Sequence, residues 1–338
     1  MKRVARHLAI RSALEAIAAT HPRAPIRRKA GHSLIFTMHH VCPAEMKPFD
    51  PNAGLSITPE FLETVIEECR ACGFSPVRLH ELPQRLAAHP KGRFVAFTLD
   101  DGCRDNRDHA APVFRRHNVP YTLFVTKGFA RRSATMWWET AEAAIRGADH
   151  WNLDGQPMCC ETIAQKNEAY ARTVAFHALA GNDNAAVTAI ELAAEEVGID
   201  GLAIVRTQTL SERELKALIT SDDLADFGVH TLNHPALAKL PEDIMRREIT
   251  ESVSWIEELS GRRPAAIAYP YGHEWACGER EANAAREAGL SIGVTTRPGK
   301  LARVLSQSML LPRVSLNGLY QERRFVRAFL SGRLLKET

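Results

Sequence analysis

Short apolar segments alternate with amphipathic ones along most of this chain, and this alternation restricts the fold more than any other feature of the sequence. The segment from Thr58-Pro59 to Gly73 has the residue types that are typical of helix N- and C-termini. Apolar strands that alternate with helices form parallel sheets, because the helices cover the sheet faces. The sequence therefore predicts an α/β fold with a parallel sheet that is either open or closed into a barrel. The predicted strands are residues 33–38, 76–79, 93–99, 121–126, 226–229, 265–269, 291–296 and 310–316.

Residues 136–205 interrupt this alternation with three helical stretches and no clear strand. We expect a helical insertion that separates two parts of one barrel or sheet, residues 31–135 and 206–320. Loops at the carboxyl ends of parallel strands build active sites, so an insertion at this point would lie over one mouth of the fold. Trp137 and Trp138 at its start then either line a cleft or anchor the insertion to the core.

The composition is that of a folded protein, with 45% hydrophobic and 25% charged residues in a chain of 338. No apolar run approaches the roughly 20 residues that span a bilayer, and charged residues interrupt the N-terminal segment, so we expect a cytoplasmic protein. Seven cysteines agree with a reducing compartment. Cys69 and Cys72 form a CxxC inside a helical run without a second pair, so we interpret the cysteines as structural.

The two ends of the chain are basic. Residues 1–29 hold eight Lys or Arg and only Glu15 on the acidic side, although the whole chain carries a net charge of +3. We expect a basic N-terminal helix or extension at 1–30 and a basic amphipathic tail at 321–338. These ends either pack on the body as solvated helices or make peripheral contact with an anionic membrane. We do not expect nucleic-acid binding, because the remainder of the chain is acidic and has no recognisable module.

The segment FTLDDG at 97–102 places two adjacent carboxylates at the end of an apolar strand. In a barrel, such strand ends form the mouth, where side chains converge on a ligand. Gly102 permits a backbone turn that brings Asp100 and Asp101 to the same side. Two like charges held close together raise at least one pKa unless a cation neutralises them. Either one of the two aspartates is protonated or a cation binds here.

The segment DFGVHTLNHP at 226–235 carries two histidines spaced by four residues. On a helix His230 and His234 would share a face, but Pro235 disfavours helical backbone at the residue before it, which favours a loop after the strand. In both cases the imidazoles reach a common point. One aspartate with two histidines makes three protein ligands and an open position, which is the arrangement of a catalytic zinc site.

A third segment, AYPYGHE at 268–274, follows another predicted strand. Pro270 has no backbone N–H, so Tyr271 is the first residue after it that can present one, and Gly272 lets a substrate approach this backbone. An N–H in such a position can stabilise a tetrahedral oxyanion. The alternative interpretation is a simple Pro-Tyr-Gly turn after a strand.

Together these segments resemble the polysaccharide deacetylases of the NodB-homology type, carbohydrate esterase family 4. FTLDDG is similar to that family's TFDDG, and HTLNHP is similar to its HTxxH motif. The likeness extends over residues 33–130 and 207–316. It implies a distorted (β/α) barrel of about seven strands.

The resemblance also implies roles for individual residues. Asp100 takes the place of the general base, while Asp101, His230 and His234 take the places of the ligands of a divalent metal, usually zinc. Tyr271 takes the place of the oxyanion donor.

Two departures from the family pattern concern the arginine that braces the base and the histidine that acts as general acid. Ala268 stands where the third motif commonly has an arginine that braces the base, and Arg313 at the end of a neighbouring strand is a candidate replacement. No histidine follows His273, although the family usually has a late histidine as general acid. SLIFTMHHVCP resembles the YHxV segment of a permuted branch, which implies His39 as the acid and places His40 in the same mouth. The alternative is a capping histidine pair at a strand end.

The implied activity is metal-dependent hydrolysis of N-acetyl groups on an amino-sugar-containing poly- or oligosaccharide. The residues expected to contact the substrate are His40, Pro270, Tyr271 and Trp138. Two alternatives remain. One is deacetylation or deformylation of a lipid-linked sugar at a membrane surface, which the basic ends would suit. The other is a non-catalytic carbohydrate-binding protein, because the third motif and the late histidine both deviate.

Overall fold

The largest element is a parallel sheet built from the apolar runs of the sequence. The computed structural model describes residues 10–17, 19, 32–301 and 309–337. The order of the strands in space is β7-β6-β5-β4-β3-β1-β8, and the short β2 pairs with the start of β3. The strands are β1 (Leu34–Met38), β2 (Ser75–Pro76), β3 (Phe94–Leu99), β4 (Tyr121–Val125), β5 (Ala225–Val229), β6 (Ala266–Ala268), β7 (Ile292–Val294) and β8 (Val314–Ser315).

The two edges of this sheet meet through the segment that leads into β8. Leu311 forms a parallel bridge with Val294 of β7, and Val314 pairs with Phe36 of β1. One segment therefore contacts both edges and closes the sheet. The fold is a distorted (β/α) barrel of seven principal strands, which confirms the predicted fold class.

Helices surround the barrel, and the helix predicted between Thr58 and Gly73 has the predicted ends. Thr58 caps the first helix by accepting a hydrogen bond from the Phe61 N–H, and Gly73 follows its end with a φ of 76°. The helices are α1 (Pro59–Ala71), α2 (Leu82–Ala88), α3 (Ala111–Arg116), α4 (Lys127–Arg131), α5 (Trp137–Gly147), α6 (Ile163–Leu179), α7 (Asp183–Glu196), α8 (Gly201–Gln208), α9 (Glu212–Ser221), α10 (Glu242–Ser260), α11 (Glu279–Glu287) and α12 (Arg323–Leu330).

Short irregular turns complete the architecture. A π-helical turn at Asn106–Ala110 precedes α3. The predicted strand at 76–79 is wrong over most of its length, because the chain leaves the sheet after Pro76 and buries Leu79 in a single 3₁₀ turn. The 3₁₀ turns are Ala53–Leu55, Leu79–Glu81, Leu237–Lys239 and Gly318–Tyr320.

The region predicted as a helical insertion contains α5 to α8 and an antiparallel hairpin, His150–Leu153 with Gln156–Cys159. The expectation of no strand here was wrong. Asp154-Gly155 forms the hairpin turn with φ values of 53° and 72°, and an Asp-Gly pair is a known signal for such a turn. The region has its own apolar cluster around the fully buried Trp151, and this cluster continues to Phe129 of α4. The insertion therefore packs against the mouth of the barrel.

The C-terminal helix α12 packs its apolar side on the rest of the chain. Phe325, Val326 and Leu330 are fully buried, and Arg323 and Arg327 each lie 2.6 Å from a carboxylate oxygen of Glu68 in α1. Most of the predicted basic extension at residues 1–30 lies outside the described residues. Within the described part of the chain, no helix is both long and apolar enough to cross a membrane.

Candidate active site

The two adjacent aspartates occupy the mouth of the barrel at the end of β3. Both carboxylates are buried, with 2% of Asp100 and 4% of Asp101 exposed. Asp101 and Gly102 have φ values of 73° and 71°. A positive φ is strained for a residue with a side chain, so this turn is energetically unfavourable at Asp101. The turn brings two neighbouring carboxylates into one pocket.

Asp101 meets His230 and His234 at this mouth. Its Oδ1 lies 3.3 Å from Nε2 of His230 and 3.4 Å from Nε2 of His234. The histidines lie on a loop after β5, where Thr231 and His234 have positive φ values of 65° and 61°, so the loop alternative applies rather than the helical one. Nδ1 of His230 lies 2.7 Å from the carbonyl oxygen of Ala268 and donates to it. This bond leaves Nε2 of His230 facing Asp101.

These three side chains fit a divalent cation. One ligand atom from each side chain lies within 4.8 Å of the others. Asp101 Oδ1 is buried and has no hydrogen-bond partner among the described residues, whereas buried polar atoms are normally paired. Burial lowers the pKa of His234 to about 3. Burial alone raises the pKa of Asp101, but its contact with His230 outweighs burial and holds this pKa below its ordinary value. A charged carboxylate beside a neutral imidazole is the state that binds a metal.

Asp100 is held by Arg313 rather than by the metal-site residues. Nη1 of Arg313 donates to Oδ1 at 2.7 Å and Nη2 donates to Oδ2 at 2.6 Å, so the contact has two points. Thr37 Oγ1 also donates to Asp100 Oδ2 at 3.3 Å. Burial raises the pKa of Asp100, but the Arg313 charge and hydrogen bonds outweigh burial, so the pKa lies below its ordinary value. Arg313, on the segment that leads into β8, therefore contacts Asp100 at the point where the sequence motif, with Ala268, has no arginine.

His39 lies at the bend after β1, and His40 begins a short strand, His40–Val41. A loop next to the aspartates contacts both histidines. Asn106 Nδ2 donates to the His39 carbonyl at 2.7 Å, and Asp105 Oδ2 lies 2.6 Å from His40 Nδ1. The His39 imidazole has no hydrogen-bond partner among the described residues, and burial lowers its pKa. Burial also acts to lower the pKa of His40, but Cys103 and Asp105 raise it well above its ordinary value.

Sequence reasoning missed Asp105 and Asn106, which position both histidines. The available signal was the polar pair that follows DDG by two residues in DDGCRDN.

Tyr271 lies beside His234 at the same mouth, with 5.0 Å between the ring centroids. Its φ is 60°, and its backbone N–H has no hydrogen-bond partner among the described residues. Gly272 is required beside it, because a Cβ there would lie 2.4 Å from the backbone nitrogen of Thr296. The unpaired N–H is the group expected to act as oxyanion donor.

Aromatic rings enclose His234 from several sides. Its ring centroid lies 5.0 Å from those of Tyr271 and Trp138, and 5.6 Å from that of Phe129. Trp138 is buried, as is Pro270. Trp138 therefore anchors the insertion and packs against a candidate metal ligand, and its contact with a substrate stays a prediction.

The fold and this geometry define a class of protein: a (β/α) barrel whose mouth pairs a braced carboxylate with a candidate cation site. Residues 87–293 match the sequence family described as polysaccharide deacetylase, and the chain belongs to this family. The family places it among the hydrolases that act on the amide bonds of acetylated sugars. No curated protein matches the chain significantly.

Solved structures show the same fold at low sequence identity. The chain is similar to the Streptococcus pyogenes deacetylase PplD in complex with acetate, with 16% identity, 86% of this chain and 94% of that chain covered, and a TM-score of 0.56. IcaB from Ammonifex degensii is 17% identical, with 88% of this chain and 98% of that chain covered and a TM-score of 0.55. The BpsB deacetylase domain from Bordetella bronchiseptica is 16% identical, with 84% of this chain and 95% of that chain covered and a TM-score of 0.51.

Proposed function

We propose that this polysaccharide deacetylase removes N-acetyl groups from an amino-sugar-containing oligo- or polysaccharide. The reaction requires a divalent cation, for which Zn²⁺ is the first candidate. One observation carries the proposal: a carboxylate braced by a buried arginine lies beside three side chains that fit a cation. Asp101, His230 and His234 would hold the ion. When bound, it supplies a Lewis acid that polarises the acetyl carbonyl and lowers the pKa of a water molecule.

Asp100 serves as the general base in this proposal. Its carboxylate is ionised because the Arg313 guanidinium offsets its charge, and it accepts the proton of the attacking water. Each carboxylate oxygen accepts more than one hydrogen bond, so the contact with Arg313 leaves room for this proton. Arg313 also fixes the orientation of the base.

Tyr271 and His39 act on the substrate amide. The unpaired N–H of Tyr271 donates to the oxyanion of the tetrahedral intermediate. His39 takes up a proton before the C–N bond breaks, and the charges of Asp101 and Asp100 favour this protonated form against burial. It then donates that proton to the leaving nitrogen, since an amine is a poor leaving group without it. Asn106 and Asp105 fix the turn that presents His39.

An acetate-release screen tests this proposal. The wild-type protein is stripped of metal, reloaded with Zn²⁺ or other divalent ions, and incubated with N-acetylated oligosaccharide, polymer and lipid-linked sugar. We expect metal-dependent acetate release from at least one carbohydrate. A protein that binds metal and sugar but releases no acetate from any substrate would instead be a carbohydrate-binding relative. Release from the lipid-linked sugar alone, with flotation on anionic liposomes, would support the membrane-surface alternative.

A further inference from the structure

The insertion reaches the active site through a small buried polar cluster. His177 of α6 and Asp183 of α7 lie with His177 Nε2 3.1 Å from Asp183 Oδ1, and only 2% of each side chain is exposed. Trp137 of α5 stacks on His177 with a centroid distance of 4.3 Å. Burial of a carboxylate and an imidazole costs folding free energy unless the two groups have polar partners. Neither His177 nor Asp183 has a role in the chemistry described above.

This cluster holds the phenol of Tyr271. Trp137 Nε1 donates to the Tyr271 hydroxyl oxygen at 3.0 Å, and the same oxygen lies 3.3 Å from His177 Nε2. An indole N–H can only donate, so the phenol oxygen accepts this bond and has its second polar contact with His177. The insertion therefore holds the phenol at two points.

Holding the phenol has a consequence for the backbone of Tyr271. A non-glycine residue with a φ of 60° is strained and keeps this conformation only where its surroundings impose it. The strained residue carries the unpaired N–H proposed as oxyanion donor, and its ring packs against His234 at 5.0 Å. The contacts of the phenol are thus well placed to keep both the N–H and the ring in position.

We propose that His177 and Asp183 are positioning residues of the active site, which act through Tyr271. The inference rests on the proposed function, since it assigns these residues to the same reaction. His177 lies behind Trp137 and Tyr271 and is almost fully buried, so it does not touch the substrate. Asp183 Oδ1 and the Tyr271 hydroxyl both lie beside Nε2 of His177. The charge of Asp183 then favours a proton on Nε2, His177 and Trp137 hold the phenol, and the phenol fixes the oxyanion donor. The insertion is then a structural part of the active site.

The test compares His177→Ala with His177→Gln, whose amide reaches the place of Nε2, and with Asp183→Asn. Glu168→Gln, an exposed change on the same helix, is the matched control. The assay is acetate release by full-length, Zn²⁺-loaded protein on the most active substrate of the screen above. We expect kcat of His177→Ala to fall about 10-fold with KM and bound metal unchanged. His177→Gln should recover part of this loss, Asp183→Asn should lie between the two, and the control should match wild type.

A double-mutant cycle with Tyr271→Phe shows whether His177 acts through the phenol. We expect the double variant to lose no more kcat than the worse single variant. Losses that multiply, or a His177→Ala enzyme as fast as wild type, overturn the inference and leave the deacetylase activity standing. A wild-type protein without activity on any substrate overturns the proposed function instead. In that case the urea unfolding midpoints of the two single variants and the double variant are compared. Losses of stability that simply add in the double variant contradict the His177–Tyr271 contact.

Discussion

Arg313 and Asp100 form a two-point ion pair in the interior of the barrel, with N–O distances of 2.7 and 2.6 Å. Arg313 precedes β8 on the closing segment, whereas Asp100 follows β3, and β1 lies between these two strands. The guanidinium is fully buried and also donates to Thr98 Oγ1 and to the carbonyl of Thr295. The pair therefore links the orientation of the proposed base to the closure of the barrel.

Replacing Arg313 by Met should harm both activity and stability. The change leaves the buried Asp100 carboxylate without its cation, which costs about 3–5 kcal/mol of unfolding free energy. The base also loses its fixed orientation, so we expect kcat to fall about 100-fold. Urea unfolding and acetate release measure the two effects.

The control for this experiment removes the charge on both sides. Asp100→Asn combined with Arg313→Met should be more stable than Arg313→Met alone, because no unpaired charge remains. Arg313→Lys keeps the charge but not the two-point geometry and should recover stability more than activity. A double variant less stable than Arg313→Met would contradict the ion pair as the cause.

The two neighbouring aspartates should respond differently to the same change. Asp100→Asn should abolish turnover while Zn²⁺ stays bound, because the amide cannot accept the proton of water. Asp101→Asn should lose the metal as well, since it removes the only carboxylate from the proposed ligand set. Metal analysis after gel filtration and acetate release separate the two. A zinc-loaded Asp100→Asn protein that still turns over would show that Asp100 is not the base.

His39→Ala should slow cleavage of an amide much more than cleavage of an activated acetyl ester. An amine needs a proton to leave, whereas an activated alcohol does not, so the loss should be about 100-fold on the amide and small on the ester. Rates on both substrates are measured with the same enzyme preparation. Equal losses on both would argue against the acid role of His39.

Glu68→Gln should destabilise the protein at neutral pH. Glu68 is 3% exposed and pairs with Arg323 and Arg327 of α12. Burial raises its pKa, but the hydrogen bonds of the two arginines outweigh burial, so the folded pKa lies below the ordinary 4.5. The ion pairs therefore stabilise the fold above pH 4.5, and this stabilisation is lost as the pH falls through the lower folded value.

The expected loss is about 2 kcal/mol at pH 7 in urea unfolding. The difference between Glu68→Gln and wild type should shrink steadily as the pH falls below 4.5. Glu67→Gln is the matched control, because Glu67 is 47% exposed and pairs with Arg323 at the surface. This control should cost less than about 1 kcal/mol. A difference for Glu68→Gln that stays constant with pH would show that its ion pairs are not responsible.

The sequence was sufficient for the fold class because hydrophobic periodicity and helix caps are local signals. The three polar motifs were visible for a related reason: each follows an apolar run that could only be a strand, and strand ends of a parallel sheet converge. Arg313 was singled out because it was predicted to end a strand. The structure instead places it just before β8, and its guanidinium pairs with Asp100. Its contribution to catalysis, like that of His39, stays a prediction.

The remaining features depend on contacts between distant parts of the chain. His177 and Asp183 lie in helices whose polar residues mostly face solvent, and His177 meets Tyr271 across 94 residues of sequence. Asp105 and Asn106 lie on a π-helical turn that no periodicity predicts. Their roles follow only when the insertion and the loop after β3 are seen packed at the same mouth.

The closure of the barrel has a consequence for the order of events during synthesis. Both aspartates and both metal-site histidines leave the ribosome well before Arg313 does, because the chain emerges from its N-terminus. The carboxylate of Asp100 then has no cationic partner until the last strand inserts between β7 and β1. If Arg313 has the proposed role, we expect a nascent chain that has completed β1 to β7 to gain deacetylase activity only after the barrel closes.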